Sequence, residues 1–194
     1  MDIIVDLETL GTDVDSTVIQ IACSAFSLDT GELVGEPFVG FLALETLKSE
    51  DLKATGSTLK WWLSQNHNTL NGIINNPFRM TRTGLWESFY RWLEQRMMEC
   101  KEKDEELKIW GNGISFDCAI VKHNLGERYD TAFRFWNERD ARTLVDMYCR
   151  KAKISDREFK NSIPNEKKHD AMSDIIWEAK FLSAAYNGLE LQEK

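Results

Sequence analysis

The sequence has only four cysteines, three prolines and three histidines among its 194 residues. Because the cysteines lie far apart and none belongs to a C-x-x-C pair, we expect free thiols in a reducing cytosol and no zinc site. No apolar run approaches the roughly 20 residues that span a bilayer. Strand-like sequence directly after Met1 leaves no room for a signal peptide. We therefore expect a cytoplasmic protein without a membrane partner.

The chain also lacks an excess of positive charge. Its formal net charge of -8, taken alone, argues against a nucleic-acid partner, since such binding depends on Lys and Arg. The charge is unevenly spread, however, because residues 150–168 carry a local net charge of +4. The basic side chains of this segment, called the basic segment below, are Arg150, Lys151, Lys153, Arg157, Lys160, Lys167 and Lys168.

Apolar residues are plentiful. They make up 42% of the chain, with seven Trp and ten Phe, which is enough for a sizeable core. The sequence shows no internal repeat, no low-complexity tract and no obvious linker. We therefore expect a single domain over residues 1–194.

The hydrophobic pattern predicts an α/β fold with a mixed five-stranded sheet flanked by helices. Strands are predicted at 2–8, 18–28, 37–44, 107–110 and 132–136, the first three forming an antiparallel meander around a turn at 29–31. Helical spacing of apolar residues predicts helices after an N-cap at Ser57, at 85–97, after a cap at Ser115, at 141–151 and at 172–186.

Two carboxylates end the first strand, DIIVDLET (2–9). Asp6 and Glu8 are two residues apart and point to the same face, with backbones about 7 Å apart. That separation leaves room for a cation between their oxygens. The alternative is that the strand simply ends at the surface, where both side chains meet water.

A third carboxylate follows a later strand in WGNGISFD (110–117). The strand, glycine turn and helix start place Asp117 in the first turn of a helix. An aspartate there also suits the helix dipole, so this residue alone does not indicate a site.

The segment HDAMSD (169–174) contains the last candidates. His169 and Asp174 are five residues apart, which corresponds to about 140° around an ideal helix. They can converge only if His169 lies in the loop or first turn that leads into the helix. Asp170 is a competing candidate, because it lies at i, i+4 to Asp174 on one helix face.

Together these residues, in the order D-x-E, D and H-x-x-x-x-D, resemble the DEDDh 3′-5′ exonucleases of the ribonuclease H-like fold. The resemblance covers residues 3–174. A closer likeness, to the T-even phage exonuclease A and its mycobacterial exoribonuclease-like relatives, rests on FWNERDARTL (135–144) and STLKWWLSQ (57–65). The matching residues are Asp6, Glu8, Asp117, His169 and Asp174.

The resemblance implies two divalent cations, Mg²⁺ with Mn²⁺ able to substitute. Asp6, Glu8 and Asp174 would bind one ion, with Asp6 also holding the second and Asp117 acting through ordered water. His169 would be the general base. Two such ions serve the attacking water and the leaving 3′ oxygen, and four carboxylates balance their charge. Without ions, the crowded carboxylates should show raised pKa values.

The resemblance also suggests how the substrate binds. Leu7, Thr9 and Leu10 would line the terminal base and sugar. The basic segment, with Lys167 and Lys168 next to His169, is the candidate for holding the strand backbone.

Two further substrate contacts stay open. Arg142 is a candidate for a phosphate contact, but a helix-capping Asp140 beside a solvated Arg142 fits equally well. Trp61 or Trp62 is a candidate for stacking on a base, although a core role is expected for at least one of them.

We therefore expect a 3′-5′ exonuclease that removes 5′-mononucleotides from single-stranded DNA. The alternative is an exoribonuclease acting on RNA 3′ ends or 3′ overhangs. A catalytically silent nucleic-acid-binding module is a distant alternative, since none of the five residues is lost. An endonuclease or strand-transfer enzyme of the same fold would lack the H-x-x-x-x-D segment. The oligomeric state stays open, and a dimer is compatible with the sequence.

Overall fold

The computed structural model describes residues 1–189, which form a mixed six-stranded sheet flanked by helices. The strands are β1 (Asp2–Thr9), β2 (Val18–Phe26), β3 (Leu33–Leu42), β4 (Arg79–Met80), β5 (Lys108–Gly111) and β6 (Glu138–Asp140). The helices are α1 (Gly56–Ser64), α2 (His67–Ile74), α3 (Arg82–Glu102), α4 (Asp117–Leu125), α5 (Glu127–Ala132), α6 (Ala141–Ala152), α7 (Asp156–Asn161) and α8 (Ala171–Leu189). None of these helices, within the described residues, is long and apolar enough to cross a membrane.

The sheet has the order β4-β3-β2-β1-β5-β6, so β1 lies near its centre. β1, β2 and β3 pair antiparallel, which confirms the predicted meander. β5 pairs parallel with β1, β6 with β5, and β4 with β3. The sheet therefore has six strands rather than five. The two outermost strands, of two and three residues, are too short to leave an alternating pattern in the sequence.

The predicted strand at 132–136 is wrong. Ala132 ends α5, and a 3-10 helix spans Phe135–Asn137 directly before β6. The alternating aromatic residues of AFRFW imitate a strand, but only Phe133 is buried in the core, whereas Phe135 is 82% exposed.

Two predicted helix caps are also wrong. The side chain of Thr55, rather than that of Ser57, caps α1 by accepting a hydrogen bond from the Thr58 N–H. α4 begins at Asp117, and Ser115 lies in the preceding turn without capping the helix.

Apolar layers enclose the sheet on both faces. On one face Ile3, Val5 and Leu7 of β1 pack with α3, α4 and α5. On the other face Ile4 packs with α6 and α8. All four cysteines are buried as free thiols. A third, smaller cluster lies beneath α1 and α2 and consists of Leu10, Ile19, Trp62 and Ile73.

Candidate active site

The two carboxylates of β1 lie on the sheet face that α8 covers. Asp6 pairs in register with Ala22 of β2, which packs in the same cluster as α8. Glu8 pairs with Gln20, and the Gln20 side-chain oxygen accepts a hydrogen bond from the Ala171 N–H at 3.2 Å. This bond fixes the first residue of α8 beside the acidic end of β1.

Asp117 reaches the same region from β5. The last residue of β5, Gly111, pairs with Val5 of β1, and α4 then begins at Asp117. A Cβ added at Gly111 would lie 3.3 Å from the Asp117 Cβ, so glycine allows the helix to start this close to the strand. The Asp117 carboxylate is only 4% exposed.

The two candidate aspartates of α8 have different roles. Asp170 accepts a hydrogen bond from the Ser173 N–H at 3.2 Å and pairs with Lys167 at 2.7 Å, so it caps the helix. Asp174 accepts hydrogen bonds from the Asn165 side-chain amide at 2.5 Å and from the His169 backbone N–H at 3.0 Å. Asp174, not Asp170, therefore faces His169.

His169 lies in the loop directly before α8, where the sequence predicted it must be for the two side chains to converge. Its backbone is in the left-handed region, with φ of 63°, a conformation that is uncommon for residues other than glycine. The edge of its ring meets the Trp61 ring with centroids 4.7 Å apart and planes at 82°. The imidazole is thus held between Trp61 and the α8 carboxylate.

Glu8, His169 and Asp174 form a triad of potential metal ligands. Each offers one ligand atom, and these atoms lie within 4.8 Å of one another. Within residues 1–189, Asp6 is not part of this group, although the family resemblance implied that it would share an ion with Glu8 and Asp174. Carboxylate oxygens and imidazole nitrogen can together bind a divalent cation.

Mutual repulsion and burial dominate the electrostatics of the site. Burial raises the pKa of Asp6 well above its usual range, and four neighbouring carboxylates raise it further. Burial, followed by nearby acidic charges, also raises the pKa of Glu8 to about 8. Burial raises the pKa of Asp117 to about 7, although backbone hydrogen bonds and Arg142 oppose the shift. The neighbours of Asp6, in decreasing order of effect, are Glu178, Asp117, Glu8 and Asp174.

Glu178 is the acidic residue that the sequence reasoning missed. It lies on α8 one turn after Asp174 and is only 2% exposed. A signal was present in the sequence, because Glu178 interrupts a helix face whose other members, Ile175, Ala179 and Leu182, are apolar. A carboxylate at such a position must be buried with the rest of the face.

An open pocket of about 440 Å³ adjoins the triad. Leu7, Thr9 and Trp61 line it, together with Glu8. Leu10 does not line it and packs in the third apolar cluster with Ile19, Trp62 and Ile73 instead.

The two tryptophans of the WW pair have different environments. Trp62 is buried, and its indole N–H donates to the Thr9 carbonyl at 2.8 Å. Trp61 is 39% exposed and forms part of the pocket wall. Only Trp61 is therefore placed to stack on a ligand.

Arg142 and Asp140 lie at the start of α6. The Asp140 carboxylate accepts hydrogen bonds from the Thr143 N–H and hydroxyl, so the capping interpretation of Asp140 is confirmed. The exposed Arg142 lies over Gly113, where an added Cβ would be 3.2 Å from the guanidinium carbon. The positive charge of Arg142 opposes the rise that burial causes in the pKa of Asp117, so Arg142 lies next to the acidic site.

The basic segment is partly neutralised. Arg150 pairs with Asp146, Lys160 with Asp156, and Lys167 with the cap Asp170. Lys168 is exposed, and its charge helps to lower the pKa of the adjacent His169.

Buried carboxylates that converge beside an aromatic-walled pocket suit a hydrolase of phosphate esters, because divalent cations there can stabilise the charge that develops during hydrolysis. The chain belongs to the family of the Rv2179c-like 3′-5′ exoribonuclease domain, which matches residues 1–186. It is therefore a member of a 3′-5′ exonuclease family. A search of curated proteins found no match. The family favours RNA, so the single-stranded DNA substrate that we expected from the sequence is not supported.

Proposed function

We propose that the protein is a metal-dependent 3′-5′ exoribonuclease of the DEDDh type, which releases 5′-mononucleotides from RNA 3′ ends or 3′ overhangs. The convergence of Glu8, His169 and Asp174 within 4.8 Å, in a chain of an exoribonuclease family, carries this proposal. The antiparallel meander joined to parallel strands supports a ribonuclease H-like fold. The match over residues 1–186 supports one domain over 1–194. A relationship to phage exonuclease A is part of the same hypothesis.

The donor atoms of the site fit hard divalent cations such as Mg²⁺ and Mn²⁺, which prefer oxygen ligands. Asp6, Glu8 and Asp174 would hold one ion and Asp6 also the second, with Asp117 acting through ordered water. When bound, such ions supply positive charge beside the attacking water and the leaving 3′ oxygen. The raised pKa values of Asp6 and Glu8, which are caused first by burial and then by neighbouring carboxylates, support this assignment, because a bound cation would favour the ionised carboxylates.

His169 is proposed to take the proton of the attacking water on a ring nitrogen, which requires a neutral imidazole. Burial lowers the pKa of His169; Asp174 opposes this shift and Lys168 adds to it. The lowered pKa favours the neutral ring near pH 7. The hydrogen bond from the His169 backbone to Asp174 and the edge contact with Trp61 keep the ring beside the carboxylates.

The pocket beside the triad is proposed to accept the terminal nucleotide. Leu7 and Trp61 offer apolar surface for the base, and the Thr9 backbone is fixed by the Trp62 indole. Arg142, exposed next to Asp117, would contact a phosphate. Lys167 and Lys168 would lie along the backbone of the strand, where positive charge is needed.

The test is digestion of RNA and DNA oligonucleotides of the same sequence, labelled at the 5′ end, with Mn²⁺, with Mg²⁺ or with EDTA. We expect a ladder that shortens from the 3′ end, release of 5′-mononucleotides, faster loss of RNA than of DNA and no reaction in EDTA. Glu8→Gln is the inactive control.

Three outcomes would change the proposal. Cleavage of RNA whose 3′ end is blocked by a phosphate would indicate an endonuclease. If DNA is degraded faster than RNA, single-stranded DNA is the preferred substrate. If the Glu8→Gln variant is as active as the original chain, Glu8 of β1 is not part of the active site.

A further inference from the structure

Glu178 is a buried carboxylate behind the proposed metal site. It lies one helical turn from Asp174 and is 2% exposed, on a helix face that otherwise packs apolar side chains. An ionised carboxylate in such a place is strongly unfavourable unless a counter-charge or hydrogen-bond donors reach it. The surroundings of Glu178 therefore indicate which ligand the position accepts.

Two oxygen acceptors remain unsatisfied at this position. Burial raises the pKa of Glu178, and the neighbouring Asn112 side chain opposes this rise. Even so, Glu178 Oε2 and Asn112 Oδ1 are both buried and have no hydrogen-bond partner within residues 1–189. Unpaired buried polar atoms are rare in folded proteins. Both are oxygen atoms, which are the ligands that a hard cation prefers.

Glu178 is also close to the carboxylates of the active site. After burial, four carboxylates raise the pKa of Asp6, and Glu178 raises it most. Asp117 and Asp174 in turn add to the rise that burial causes in the pKa of Glu178. The nearby cation Lys160 already pairs with Asp156 and lies 5.0 Å from the centre of the Phe181 ring. The acidic site therefore contains a fifth carboxylate without a dedicated counter-charge.

We propose that Glu178 is a fifth carboxylate of the cation site, and that its Oε2 binds a divalent cation together with Asp6 and the Asn112 side-chain oxygen. This inference rests on the proposed function, because it assigns a ligand to the same metal site. The position is more buried than the triad of Glu8, His169 and Asp174. It also explains why α8 carries a carboxylate on its apolar face.

The experiment is titration of the metal-free protein with Mn²⁺, followed by electron paramagnetic resonance of the free ion and by thermal unfolding. Glu178→Gln keeps the size of the side chain but removes the charge. We expect its affinity for at least one Mn²⁺ to fall by about 10- to 100-fold, while the metal-free variant is at least as stable as the original chain. Asp146→Asn, which removes a negative charge from the exposed side of α6, should bind Mn²⁺ as the original chain does.

Unchanged Mn²⁺ affinity and stoichiometry in Glu178→Gln would overturn the inference. If that variant does not fold, Asn112→Ala tests the same position from the β5–α4 loop, and unchanged binding there would overturn it equally. The two proposals fail differently. A chain that binds no Mn²⁺ and leaves RNA intact refutes the proposed function. An active, Mn²⁺-binding chain that is insensitive to position 178 refutes only the role of Glu178.

Discussion

The two faces of β1 differ sharply, although they belong to the same eight residues. One face presents Ile3, Val5 and Leu7, all buried in an apolar cluster. The other presents the equally buried Ile4, followed by Asp6 and Glu8. The comparison shows how a fold tolerates crowded carboxylates: apolar packing on one face fixes the strand that holds repelling charges on the other.

The largest expected effect concerns the acidic face. His169→Ala should reduce the rate of RNA hydrolysis by about 10²- to 10⁴-fold, because the variant lacks the group that accepts the water proton. The fold should persist, since the His169 bond to Asp174 uses the backbone N–H. Single-turnover rates and circular dichroism measure both properties.

His123→Ala is the matched control, because His123 is exposed on α4 outside the triad. It should keep full activity. Near-normal turnover by His169→Ala would show that His169 is not the general base. Hydrolysis would then depend on the carboxylates of the acidic face alone.

The next effect concerns the apolar face. Ile3→Ala should lower the free energy of unfolding by about 2–5 kcal/mol, since Ile3 is fully buried and the change leaves a cavity. The folded fraction should retain its activity per molecule.

Asp6→Asn should do the reverse, abolishing activity while leaving the metal-free protein at least as stable, because it removes a repelling charge. Urea denaturation and RNA digestion of both variants test the contrast, and equal destabilisation by both would contradict it.

The acidic face should also make stability depend on pH when the protein is in EDTA. In the folded protein the pKa values of Glu8 and Asp117 are raised to about 8 and about 7, so the folded state binds more protons than the unfolded state above pH 4. Stability should be fully present at low pH and fall as the pH rises through about 7 to 8. Excess Mn²⁺ should reduce this fall, because cations replace the protons. Calorimetry at several pH values tests the sign, and rising stability in EDTA over that range would contradict it.

The sequence predicted much of this site because its residue types and spacing are constrained. Asp6 and Glu8 share a strand face by alternation, and the geometry of HDAMSD required His169 to precede the helix, where it lies. Asp174 rather than Asp170 faces the site because Asp170 caps α8, which spacing alone did not decide.

Other features depended on tertiary context that the pattern does not contain. Leu10 was expected at the substrate, but it packs in the core against Ile19, Trp62 and Ile73. Glu178 was missed because a single acidic residue in a helix is ordinarily solvated, although its apolar neighbours on the same face of α8 indicated that it would be buried. The aromatic segment AFRFW was misread because Phe135 is exposed despite its hydrophobicity.

The shortness of β4 and β6 has a consequence for the behaviour of the protein at high concentration. An outer strand exposes unpaired amide and carbonyl groups, along which another chain can add itself to the sheet. β4 pairs with only Phe41 and Leu42 of β3, so residues 33–40 of β3 have no strand partner on that side within the described sheet. Pro37, which lacks an amide hydrogen, and the charged Glu36 interrupt this open edge, so an arriving chain gains few hydrogen bonds. The rim of the sheet thereby discourages fibrous self-assembly.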